Sequence, residues 1–228
     1  MVIAIVLSGG CGSRMGLDTP KQYLLVGDEP IIKFSYDQFV ANDHVDGIVI
    51  VVNSKWIQFL KDNIDCSHPK FLGFAEAGES RQQSILNGLL FLEDKMFSPE
   101  DLVIIHDAAR PNVSQRLINN CLDVANYDGV LPVLPCKDTL YMSLDGKEIN
   151  SLLNRDCIYA GQSPETFKYK KYLDINKATS GDELRNIRGS TEIAYKNGFK
   201  IRIICGEEIN YKITTKSDLT KFKQERGK

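Results

Sequence analysis

The chain has no pair of cysteines spaced Cys-x-x-Cys. Its six cysteines, Cys11, Cys66, Cys121, Cys136, Cys157 and Cys205, stand apart, several of them in apolar runs. That distribution argues against a zinc ribbon or a disulfide framework and predicts reduced thiols in a cytoplasmic protein. An excess of one charge is also missing. Lys and Arg number 28 against 30 Asp and Glu, a formal net charge of −2, so no global field favours nucleic acid or a membrane surface as partner. The apolar run Val2–Leu7 is too short to span a bilayer and has no basic flank, so it reads as a buried strand and not a targeting signal. Repeats, low-complexity segments and dividing linkers are absent, and 228 residues suit one domain spanning 1–228.

What is present is alternation. Val2–Leu7, Gly47–Val52, 102–106 and 129–133 are short, β-branched runs that read as strands. Between them, 31–41, 56–63, 80–91 and 114–125 carry apolar residues at helical spacing. The order predicts an α/β protein with three layers and a mostly parallel sheet. The rhythm breaks at 139–158. Residues 139–143 and 148–153 read as extended, joined by a turn at 144–147 that contains Asp145-Gly146. From these residues alone an ordinary surface hairpin is favoured over an intersubunit arm.

A glycine-rich loop follows the first strand: Leu7-Ser8-Gly9-Gly10-Cys11-Gly12-Ser13-Arg14-Met15-Gly16, then Pro20-Lys21. Glycines let the backbone approach an anion closely, and successive N–H groups can cradle phosphate oxygens. Arg14 adds a planar multi-donor group and Lys21 a compact charge. The loop lacks the Gly-Lys-Ser/Thr of a nucleoside-triphosphatase loop. Its Gly10-x-Gly12-x-x-x-Gly16 misses the dinucleotide spacing by one. The bland alternative is a tight strand-to-helix turn with surface charges, and the basic pair weighs against it.

His106-Asp107-Ala108-Ala109-Arg110-Pro111 ends a strand, where open α/β sheets place their ligands. Asp107 there can hold Mg²⁺ or pair with Arg110, whereas His106 reads as structural. Gly78-Glu79-Ser80-Arg81-Gln82-Gln83-Ser84 opens a helix; its polar groups either contact a nucleotide or cap the helix. Arg155 and Lys212 are weaker candidates, because exposed charges usually bind nothing.

Taken in order, Leu-x-x-Gly-x-Gly-x-Arg-Met, Pro-Lys-Gln, Gly-x-x-Arg-x-x-Ser, His-Asp-Ala-Ala-Arg-Pro, Asp-Thr, Gln-x-Pro-x-x-Phe and Lys-Ile-Thr resemble one family. It is that of the 2-C-methyl-D-erythritol 4-phosphate and ribitol-5-phosphate cytidylyltransferases. The resemblance covers nearly the whole chain. It implies a Rossmann-like nucleotidyltransferase fold with a protruding β-arm at about 137–160, a homodimer formed through that arm, CTP and Mg²⁺. By position it implies catalytic roles for Arg14 and Lys21, and metal binding at Asp107. Nucleotide contacts fall on Leu7, Gly9, Gly10, Cys11, Gly12, Gly78, Arg81, Ser84, Asp107, Ala108 and Arg110. Polyol-phosphate contacts fall on Thr139, Arg155 and Lys212, the first two reaching a neighbouring subunit. The resemblance thus turns the hairpin into an expected dimer arm.

Two branches compete for the acceptor. His106 to Pro111 and Ser84-Ile-Leu-Asn-Gly-Leu resemble the methylerythritol branch, whereas Trp56 and Tyr159-Ala-Gly-Gln-Ser-Pro resemble the ribitol branch. Where both branches carry Thr-Asp, this chain reads Gly189-Ser190-Thr191-Glu192, with Thr191 at the Asp position. Another polyol or sugar phosphate of surface-glycan synthesis therefore stays open, as does a non-catalytic nucleotide-binding regulator.

Overall fold

The computed structural model describes residues 1–10, 19–95 and 98–227. Cys11, Gly12 and Arg14 lie outside the described residues. In chain order the strands are β1 (Val2–Leu7), β2 (Leu25–Val26), β3 (Glu29–Pro30), β4 (Gly47–Val52), β5 (Phe71–Glu76), β6 (Leu102–Asp107), β7 (Gly129–Pro135), β8 (Leu140–Met142), β9 (Ser151–Leu153), β10 (Tyr159–Gly161), β11 (Glu165–Lys168) and β12 (Ile201–Cys205). The helices are α1 (Ile31–Val40), α2 (Ile57–Asn63), α3 (Arg81–Phe91), α4 (Gln115–Cys121), α5 (Tyr169–Ala178), α6 (Gly181–Asn186), α7 (Ser190–Lys196) and α8 (Lys216–Glu225).

β1 lies between β4 and β6, parallel to both, and β5 continues the parallel sheet beyond β4. On the other side β11 runs antiparallel to both β6 and β7, and β12 pairs parallel with β7. β10 extends the antiparallel ladder along β7; the Ser163–Pro164 peptide between β10 and β11 is cis.

The central strands β1 and β4 are apolar throughout because both faces are covered. Ile3, Ile5, Val49, Val51, Val103 and Ile105 pack against Ile85 and Leu89 of α3, Tyr172 and Leu173 of α5 and Ile193 of α7. Their neighbours Ala4, Val6, Ile48, Ile50 and Ile104 face Ile32, Tyr36 and Phe39 of α1, Leu60 of α2 and Leu117 of α4. This period-two division produces the expected three layers. Ile48 through Val52 are fully buried. Each such side chain contributes up to about 1.5–3 kcal/mol, so a charge in this strand would break the fold before it touched any ligand.

Several boundaries differ from the sequence expectation. α4 ends at Cys121 and not near 125, where Ala125 takes a φ of 41° that a helix cannot contain. α2 begins after a short 3-10 turn, Ser54–Trp56, capped by the Asn53 side chain. The hairpin is present, but its paired strands are three residues each. Asp145 shortens them: its carboxylate accepts from the N–H groups of Lys147 and Glu148, and Gly146 turns at φ 73°.

Candidate active site

The strand register brings the sequence motifs together. Leu7 pairs with Val51 on one side and Asp107 on the other, and Val52 pairs with Glu76. The segments that leave these carboxyl ends, 8–10, 77–84 and 107–110, therefore start side by side. Ala108 N–H donates to the Leu7 carbonyl at 3.0 Å, tying two of them.

The beginning of the glycine-rich loop is fixed from below. Ser8 N–H and Oγ both donate to the Val51 carbonyl, at 2.8 and 2.9 Å. Gln22 Nε2 donates to the carbonyls of Ser8 and Gly10 at 2.5 and 2.7 Å, and Tyr23 hydroxyl to Ser8 at 2.8 Å. Burial pushes the Tyr23 phenol up to about 12, so it stays a donor at neutral pH. Lys21 opens the 3-10 turn, Lys21–Tyr23, that carries both anchors. Gly9 is required by space: a Cβ there would sit 2.3 Å from Ala77 Cβ. At Gly78 a Cβ would meet the Gln83 side chain at 2.3 Å, while Gly78 N–H donates to Ser84 Oγ at 3.0 Å. Ser80 caps α3 by accepting from Gln83 N–H. A Cβ at Gly10 would meet nothing within 4 Å among the described residues.

Asp107 is the electrostatic centre. Arg81 Nε donates to its Oδ1 at 3.1 Å, and Lys212 Nζ to its Oδ2 at 2.7 Å. Burial alone would raise the Asp107 carboxyl. The charges of Arg81, Lys212 and Arg110 outweigh it and hold the group well below the usual carboxylate range. His106 behind it is fully buried, and burial pushes its imidazole down to about 4. It is therefore a neutral bridge, between Arg110 carbonyl at 3.1 Å and Ser163 Oγ at 3.3 Å. Ser163 Oγ in turn accepts from Asp107 N–H at 3.1 Å.

Lys212 reaches Asp107 because the chain around it is stapled to the end of β6. Arg110 Nη1 donates to Asn210 carbonyl at 2.6 Å, and Ile213 N–H to Ala109 carbonyl at 2.9 Å. Arg110 thus organises the segment bearing Lys212, while the guanidinium on Asp107 is that of Arg81. Thr139 and Arg155 stand elsewhere. They line one shallow pocket at the hairpin with Leu152, Leu153, Asn154 and Asp156, and Arg155 Nη1 donates to Lys137 carbonyl at 2.8 Å.

Sequence reasoning gave no role to Gln22, Ser163 or Glu165, although all three sit inside quoted motifs, Pro-Lys-Gln and Gln-x-Pro-x-x-Phe, whose other members drew the attention. No local signal ties Glu165 to Ser190, 25 residues on.

This arrangement has known counterparts. The family model of 2-C-methyl-D-erythritol 4-phosphate cytidylyltransferase matches residues 2–224. The chain belongs to this family. A ribitol-5-phosphate cytidylyltransferase of Streptococcus pneumoniae serotype 2 (strain D39) is 33% identical over 225 residues, covering 96% of each chain. The homologue from strain G54 of serotype 19F is 32% identical with the same coverage. Among solved structures, the 4-diphosphocytidyl-2C-methyl-D-erythritol synthase of Anaerococcus prevotii matches with a TM-score of 0.82 at 21% identity, covering 100% of this chain and 96% of that one. The 2-C-methyl-D-erythritol 4-phosphate cytidylyltransferase of Francisella tularensis gives a TM-score of 0.82 at 22% identity, with 98% and 99% covered. At that identity the structures speak for the fold; family model and curated relatives make the chain a cytidylyltransferase of the nucleotidyltransferase class. No helix among the described residues is long and apolar enough to cross a membrane.

Proposed function

We propose that this cytidylyltransferase joins CTP to a polyol phosphate, with ribitol 5-phosphate the preferred acceptor, in the cytoplasm. The observation that carries the reading is Asp107, ionised between Arg81 and Lys212 at the carboxyl ends of the parallel strands, beside the anchored start of the glycine-rich loop. A phosphate oxygen of the acceptor attacks the α-phosphorus of CTP. The bond from that phosphorus to the bridging oxygen breaks, and pyrophosphate leaves. Arg14 and Lys21 neutralise the charge that develops, and no covalent enzyme intermediate is required. Gly78, Arg81 and Ser84 would position the cytidine half of the nucleotide.

The residues present suit Mg²⁺. Among the described residues there is no cluster of three or more His, Cys, Asp or Glu that could cage a metal. A single ionised carboxylate is what Mg²⁺ takes when phosphate oxygens and water complete its shell. Asp107 would hold the ion, which when bound supplies charge neutralisation for the triphosphate. Lys212, already beside Asp107, is in place to take the acceptor phosphate.

The hairpin completes the proposal. Tyr141, Leu144, Ile149 and Leu152 are 58, 81, 67 and 66% exposed. An isolated two-stranded hairpin with an apolar surface is marginal in water, which supports its burial against a second copy of the chain. Thr139 and Arg155 would then serve the partner's acceptor site.

The ribitol reading rests on the curated relatives, 33% identical across the chain and named ribitol-5-phosphate cytidylyltransferases. The match of 2–224 to the methylerythritol family model supports that phosphate as the second reading. Pyrophosphate release with CTP and each acceptor separates them. The expected result is turnover with ribitol 5-phosphate at least about tenfold above methylerythritol phosphate in kcat/KM. Equal or reversed preference contradicts the acceptor, and preference for UTP, ATP or GTP contradicts the nucleotide.

A further inference from the structure

Glu165, at the start of β11, is buried without being a ligand of anything proposed above; its side chain is 9% exposed. Its Oε1 accepts from Ser190 Oγ at 2.5 Å and lies 3.5 Å from Arg81 Nη2. Its Oε2 accepts from Thr191 Oγ1 at 2.6 Å. Arg81 uses its remaining donors to reach Ser190 Oγ at 2.8 Å through Nη1 and Asp107 at 3.1 Å through Nε. The start of α7 is held from a third side, where Tyr172 hydroxyl donates to Ser190 carbonyl at 2.9 Å. One carboxylate therefore binds α7 and the Arg81 guanidinium to the same strand.

A guanidinium between two carboxylates has its plane fixed by both, because its donors diverge in a rigid fork. Removing Glu165 leaves Arg81 with Asp107, which Lys212 also claims, as its one carboxylate, and with a Ser190 hydroxyl that has lost its own acceptor. We infer that Glu165 is a positioning residue of the nucleotide site: it sets the place from which Arg81 grips Asp107, and it does so together with the hydroxyls of Ser190 and Thr191. The inference rests on the nucleotide reading of Arg81 and Asp107. It also gives Thr191 a structural reason: an aspartate there would set a second carboxylate against Glu165 and repel it.

The test uses the full-length chain and CTP binding by calorimetry. Glu165→Gln keeps size and loses the negative charge that faces Arg81. CTP affinity should fall about tenfold, the cost of one charged hydrogen-bonded contact, and Glu165→Asp should recover part of it. In an Arg81→Lys background Glu165→Gln should add little further loss, since both act through one guanidinium. Thr191→Asp should weaken binding, and Thr191→Asp with Glu165→Gln should restore it. Undiminished CTP affinity in Glu165→Gln, equal losses in both Arg81 backgrounds, or no rescue of Thr191→Asp would each overturn the inference. Failure of the unaltered protein to bind CTP counts against the nucleotide reading instead. A crystal structure of Glu165→Gln then decides the positioning role: Arg81 is expected off Asp107, and Arg81 still bonded there contradicts it.

Discussion

The strand-end cluster and the hairpin are built on opposite principles. Around Asp107 the carboxylate itself is answered from within the chain: both of its oxygens take a cation, the backbone N–H finds Ser163, and His106 is clamped behind. At the hairpin, apolar side chains point outward and the turn is held by local bonds from Asp145, Ser143 and Asn150. Preorganised charge is what a phosphoryl-type transfer needs, and a fold provides it best on rigid strand ends. An exposed apolar hairpin gains its stability from whatever covers it. The first region is complete in one chain; the second, on the proposed reading, is completed by another copy.

That contrast can be broken in order of expected effect. Lys21→Ala should lower kcat about 100-fold or more with little change in Tm, because it removes transition-state charge neutralisation from an otherwise intact loop. A variant with normal pyrophosphate release would remove Lys21 from the chemistry. Leu152→Asp should leave CTP binding intact and shift the protein to a monomer in sedimentation at micromolar concentration, with acceptor turnover down about 100-fold, since the partner's Arg155 is lost. A dimer as tight as before would detach the hairpin from assembly. Gly9→Ala should cost about 1–3 kcal/mol of stability in denaturant titration, because its Cβ collides with Ala77 Cβ. Unchanged stability would mean the loop yields freely at that point.

The smallest effect concerns pH. Tyr23 is raised by burial from 10.0 to about 12. The folded state holds the phenolic proton more tightly than the unfolded state, so its stabilisation is full below about pH 10 and is lost as pH rises through about 12. Tyr23→Phe should therefore cost about 1 kcal/mol at neutral pH, from the lost bond to Ser8, and the gap to the unaltered protein should close between pH 10 and 12. A gap that stayed constant across that range would show that Tyr23 is not the group being titrated.

Much of the sheet was legible because buried parallel strands leave continuous apolar runs, as Val2–Leu7 and Gly47–Val52 do. Asp107 was legible because strand ends in such sheets face the ligand crevice. Its partners were not. Arg81 and Lys212 converge on it from 26 and 105 residues away, and only the folded register explains why. Arg110, the neighbour in sequence, reaches Asn210 carbonyl. The Glu165 cluster was hidden for the same reason: the sequence marked Thr191 only as a departure from Thr-Asp, and nothing local ties Ser190 and Thr191 to Glu165. β10 and β11 were missed because they are short and interrupted at Ser163–Pro164, which leaves no alternating pattern to read.

The most direct test of a site shared between the two regions is subunit mixing. Asp107→Asn disables the strand-end cluster and Arg155→Ala the hairpin, so each homodimer alone should be nearly inactive. If each active site draws Asp107 from one chain and Arg155 from its partner, a random mixture contains dimers with one intact site. It should recover about one quarter of the unaltered protein's pyrophosphate release. Recovery of that size supports an intersubunit site; a mixture no more active than the average of its two components contradicts it.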